Sequence, residues 1–78
     1  MEHDILAFGH DLIAARPRLR QRAIRLTGRP DEAGHLVQRT MTEAWRARDA
    51  FTPGQNLDDW LGGILRHTLD EPRSFADA

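Results

Sequence analysis

Four histidines are the only side chains in this 78-residue chain that combine metal ligation with proton transfer near neutral pH. His3 and His10 are seven residues apart, about 10.5 Å of rise on one helix, too far for two ligands on one zinc ion. His35 and His67 are isolated in the sequence, so no metal site is expected. Nucleophiles are scarcer still: Ser74 is the only serine, and Cys, Lys and Tyr are absent. Asp58 and Asp59 are paired acids of the kind used in general acid–base catalysis, but at the start of a helix they are accounted for as charges opposing the macrodipole. Base, orienter and nucleophile cannot be assembled from this set. No catalytic residue, cofactor or small-molecule substrate is therefore expected, and the chain reads as a non-enzyme.

The arginines are more suggestive. Arg16, Arg18, Arg20, Arg22, Arg25 and Arg29 give residues 16–29 a charge of +6 with no acid among them, and Arg18, Arg22, Arg25 and Arg29 fall on one helical stripe. Such a stripe suits phosphates or an acidic protein surface. It equally suits a solvated face balanced by residues 49–78, which carry −4. With eleven Arg against twelve Asp and Glu the net charge is −1, so the chain is neither a polyanion nor a polybasic arm. No apolar run approaches the ~20 residues of a membrane span, and the acidic start Met1-Glu2-His3-Asp4 lacks the basic region of a signal peptide. A cytoplasmic location without membrane contact is expected.

The elements that position these residues are helices. Pro and Gly cut the chain at Pro17, at Gly28-Arg29-Pro30, at Thr52-Pro53-Gly54 and at Pro72, and nothing alternates with period two for five residues. The expected fold is all-α, a small bundle of three to four helices over residues 1–72, with 73–78 as a flexible tail. A first helix carries Ile5, Phe8, Leu12 and Ala15 and is expected to stop or bend before Pro17, which disfavours helix at Arg16. A second carries Leu19, Ala23 and Leu26 and ends at Gly28 as a left-handed cap. The clearest helix follows Asp31 and Glu32, with Ala33, Leu36, Val37, Thr40, Met41, Ala44 and Trp45 at steps of three and four. After a loop over Asp49 to Gln55, Asn56 is a good N-cap for a last helix burying Leu57, Trp60, Leu61, Ile64, Leu65 and Thr68. Both Trp45 and Trp60 are expected in the core.

The stretch Leu19 to His67, with its order LRxRAxRLTG, LVQxTMxxAWRARDxF, a Pro-Gly loop and NLxxWLxxILR, resembles region 2 of the sigma-70 family. It is most similar to the extracytoplasmic-function group of RNA polymerase sigma factors, of general-stress type. That resemblance implies a bundle that docks on the clamp helices of RNA polymerase and captures unpaired promoter bases. Carried over by position, the helix Ala33 to Trp45 is the polymerase-binding element. Gly34 and His35 stand where the family has acids, and Arg39 replaces the acid that follows Gln38. Gly34, His35, Gln38 and Arg39, with Arg18, Arg22 and Arg25 on the preceding helix, form the expected partner-binding set, which one acidic or mixed-charge partner helix could span.

The same carry-over makes Phe51 to Asn56 the loop that pockets a flipped base, with Phe51, Gln55, Asn56 and Arg66 as nucleic-acid candidates. Here the pattern is divergent: Gly62 and Gly63 replace larger residues, and Leu69-Asp70-Glu71-Pro72 replaces a basic extension. Acids repel phosphate, so promoter DNA binding by this chain alone is expected to be weak or absent. The second DNA-binding domain of a sigma factor is not among these residues, and the resemblance is to a truncated member. The expected role is regulation of transcription by protein contact with the clamp helices of RNA polymerase or with an anti-sigma factor. The alternative is a DNA-binding region 2 module, remnant or excised, contacting the promoter −10 element.

Overall fold

A computed structural model describes residues 5–71. They form three helices, α1 (Ile5–Thr27), α2 (Pro30–Arg46) and α3 (Leu57–Asp70), with a single 3-10 turn at Arg48–Ala50 between α2 and α3. No strand occurs among the described residues. The bundle is thus all-α, with three helices around one core. Both the expected boundary at residue 72 and the 73–78 tail lie outside the described residues, as do His3 and Ser74.

The core explains these elements. On α1, Leu12, Ala15, Leu19 and Ala23 are buried at steps of three and four. On α2 the inward residues are Ala33, Leu36, Val37, Thr40 and Ala44, and on α3 they are Leu61, Leu65 and Thr68. Among the described residues four of the ten buried apolar side chains are alanines, which let the helix axes approach closely, while Leu61 and Leu65 fill the space between them. Gly28 takes φ +72, a left-handed conformation that costs a glycine little. Its N–H bonds to the Ile24 carbonyl at 2.7 Å, which closes α1, and Pro30 then opens α2. Asn56 caps α3, its side-chain oxygen accepting from the Asp59 N–H at 3.0 Å.

Three expectations about the helices need correction. α1 does not stop at Pro17; it runs through it. The buried stripe keeps its register on both sides of the proline, and Pro17 itself faces solvent, so shared core packing outweighs the one missing N–H. Leu26 is not a core residue, being 43% exposed. Thr27 continues the inward stripe instead, its hydroxyl donating to the Ala23 carbonyl at 2.9 Å. Trp45 is also outside the core, at 39% exposed. It lies at the rim, stacked on Phe8 with 6.3 Å between ring centroids and covered by the Arg48 guanidinium 4.4 Å above its ring. Trp60 is half-buried and packs against the core from its edge.

Candidate partner-binding and nucleic-acid surfaces

The three helices leave three seams, and the partner-binding candidates are distributed among them. On the α1–α3 seam, Arg18 grips Asp58 with both ends of its fork: Nε donates to Oδ2 at 2.9 Å and Nη2 to Oδ1 at 3.1 Å. This hydrogen bond, with the charges of Arg18 and Arg22 behind it, holds the Asp58 carboxyl below the usual carboxylate range and raises Arg18 above its own. One turn on, the Arg22 guanidinium lies over Gly62, its Cζ 3.0 Å from where a Cβ would stand. Arg25 lines the same groove, of about 320 Å³.

His35 and Arg39 lie on the other side of α3. They line a smaller groove of about 180 Å³ on the α2–α3 seam with Thr27, Leu36, Thr68 and Glu71. Arg39 Nη2 donates to Glu71 Oε1 at 3.4 Å, a solvent-exposed pair that partly neutralises the arginine. Gln38 faces outward on α2. Gly34 faces the third seam, where Arg20 Nη1 comes within 3.6 Å of the position its Cβ would take. A partner helix laid along one of these grooves meets one set of candidates only, because α3 stands between the α1 arginines and the His35 and Arg39 pair.

The fourth feature is the loop before α3. Gln55 Oε1 accepts from the Thr52 backbone N–H at 2.7 Å and from its hydroxyl at 2.8 Å, and Gly54 turns the chain at φ +98. Phe51 leaves this turn to join an aromatic cluster, 5.5 Å from the Phe8 ring and 5.1 Å from that of Trp60. Beside it opens a cavity of about 510 Å³ lined by Ile5, Phe8, Asp11, Arg48, Phe51 and Pro53. Phe51, Gln55 and Asn56 are therefore together at the loop. Arg66 is remote from them, near the far end of α3, within 3.7 Å of Asp70.

Residues 12–73 match the family model for Sigma-70 region 2. The chain belongs to the sigma-70 family, as a region 2 domain of the extracytoplasmic-function group. Over 57 residues it is 49% identical to the ECF RNA polymerase sigma factor EcfG of Rhodopseudomonas palustris (strain TIE-1). That alignment covers 73% of this chain and 32% of the relative, so the chain spans about a third of the length of the curated protein it matches.

Sequence reasoning placed Phe51 at the region 2 loop but missed what surrounds it. Phe8 reaches the cavity from the far end of the sequence, and Arg48 is held by its donation to the Trp45 carbonyl at 2.7 Å. In the sequence Asp58 is accounted for by helix-start charge alone, and its role as the anchor of Arg18 depends on a contact 40 residues apart. No local pattern announces such a contact; only the parallel course of α1 and α3 creates it. Among the described residues no three His, Cys, Asp or Glu side chains cluster as metal ligands would, and no helix is long and apolar enough to cross a membrane.

Proposed function

We propose that this region 2 domain is a non-enzymatic, cytoplasmic regulator of transcription that works by protein contact, with the clamp helices of RNA polymerase or an anti-sigma factor as its partner. The contact runs through the outward surface of α2 around His35, Gln38 and Arg39, with the α1 arginines Arg18, Arg22 and Arg25 as a separate contact. One observation carries this reading: the positive charge lies along α1, while the base-sized cavity is rimmed by Asp11 and Asp49 against a single guanidinium, Arg48, already engaged with Trp45. Such a rim repels a phosphate backbone. The outward positions of α2, by contrast, are exposed and take no part in the core.

The test compares the wild-type domain with the variant Gly34→Asp/His35→Asp/Arg39→Glu, measuring affinity for RNA polymerase core enzyme and for the cognate anti-sigma factor. The acids should tighten core binding by about tenfold and weaken the anti-sigma complex. The fold is not at stake, since Arg39 forms only an exposed ion pair and Gly34 faces the guanidinium of Arg20. Unchanged affinity for both ligands refutes the role given to this surface.

The aromatic cavity favours a second reading, contact with single-stranded −10 promoter DNA through Phe51, Gln55 and Asn56. Aromatic faces stack unpaired bases, at roughly 1–3 kcal/mol per base. Anisotropy titration of a −10 oligonucleotide decides: binding weaker than about 1 μM at physiological salt supports protein contact. Tighter binding that is lost on Gln55→Ala or Asn56→Ala supports DNA contact.

A further inference from the structure

The groove on the α1–α2 seam shares only Gly34 with the expected partner-binding set. It measures about 450 Å³ and is lined by Ile13, Arg16, Pro17, Arg20, Gly34 and Val37. Three properties set it apart. Its apolar wall is open, with Ile13 63% exposed although α1 buries residues on its other flank. Its floor at Gly34 presents no side chain, and Arg20 Nη1 lies 3.6 Å from where a Cβ would stand. Its rim is positive and unneutralised: none of the ion pairs among the described residues takes up Arg16 or Arg20. Arg18, which points to the opposite flank of α1, is held by Asp58.

We infer that this groove receives an acidic amphipathic helix from a partner protein. The inference rests on the protein-contact reading above and specifies the chemistry of the partner. Two adjacent helices leave between them a channel that fits a third helix, as ridges fit grooves. Arg16 and Arg20 are four residues apart on α1, a rise of about 6 Å, and two acids at i and i+4 on a neighbouring helix have the same spacing. A large apolar residue between those acids enters the channel against Ile13, Pro17 and Val37. Desolvation around that anchor strengthens the flanking ion pairs.

The experiment pans a displayed library of randomised single helices against the folded domain, then measures the selected peptides on the wild type, Arg16→Glu/Arg20→Glu and Ile13→Ser. All three sites are exposed, and circular dichroism verifies each fold. The selected helices should carry acids at i and i+4 beside a large apolar residue. Charge reversal should weaken them at least ~10-fold, and replacing the peptide acids with Lys should restore binding to the reversed domain. Selected helices without acids, or with affinity indifferent to the reversal, overturn the inference. So does sedimentation showing that Ile13→Ser dissolves a dimer of the domain, which makes a second copy the occupant. RNA polymerase core binding on the same variants separates the two levels. If the groove fails while His35→Asp/Arg39→Glu still alters core binding, only the groove assignment falls; if neither ligand binds, the protein-contact reading falls with it.

Discussion

Gly62 and Gly63 are adjacent in the interior of α3, neither at positive φ, yet alanine should affect them differently. A Cβ on Gly63 meets no atom within 4 Å. Gly63→Ala therefore delivers the helix-propensity gain alone, about 1 kcal/mol, which raises Tm by roughly 4–8 °C in a domain of this size. A Cβ on Gly62 collides with the Arg22 guanidinium. That group is the end of a flexible side chain and can swing into solvent, so the backbone need not move. The half-buried arginine then loses its packing against α3 and its proximity to Asp58, at a cost of about 0.5–1 kcal/mol. Gly62→Ala should therefore be near neutral. Urea unfolding followed by circular dichroism measures both, and a double-mutant cycle with Arg22→Ala isolates the coupling. In the Arg22→Ala background the two glycines should respond alike. Equal gains at both positions with Arg22 intact would refute the packing described for this seam.

Three further outcomes are expected. Thr40 is fully buried and its hydroxyl finds no hydrogen-bond partner among the described residues, so Thr40→Val should stabilise the domain by about 1 kcal/mol in the same unfolding assay. Trp60→Ala removes the indole that meets Phe8 and Phe51 and should cost about 3 kcal/mol, near the low end for such truncations because the ring is only half-buried; a loss under ~1 kcal/mol contradicts the cluster's role. The Asp58 carboxyl is depressed in the folded state, so its contribution is present above the ordinary carboxylate value of about 3.9 and is lost as pH falls through the lower folded value. Asp58→Asn should flatten the acid limb of a stability–pH curve, and an unaltered limb argues against the Arg18 fork.

The helices were legible because their signals are local. Asp31 and Glu32 opposite the macrodipole, Asn56 as a cap and Gly28 as a terminator all act within a turn or two of where they stand. The family was legible from motif order. Pro17 was misleading because its local preference against helix at Arg16 is real, and only the shared stripe of Leu12, Ala15, Leu19 and Ala23 overrides it. Trp45 sits at core spacing but on the flank of α2 that α1 covers only partly, which periodicity does not reveal. The assignment of Arg18 and Arg22 to one groove and of His35 and Arg39 to another depends on where α3 lies. So does Gly62, which reads as erosion in the sequence and as a seat for Arg22 in the bundle.

The proline inside α1 has a consequence for the aromatic cavity. Without an N–H at Pro17, the ladder of α1 is interrupted where the Ile13 carbonyl lacks its donor. The turns before it are anchored by Leu12 and Ala15, and those after it by Leu19 and Ala23. The leading half therefore keeps its place through packed side chains, Phe8 among them, rather than through an unbroken ladder across the proline. It is also the half that carries Ile5, Phe8 and Asp11, one entire wall of the cavity beside Phe51. The cavity is therefore bounded on one side by the loop that Gln55 pins and on the other by the turns of α1 before Pro17, so its shape is set by how Phe8 packs against Phe51 and Trp60.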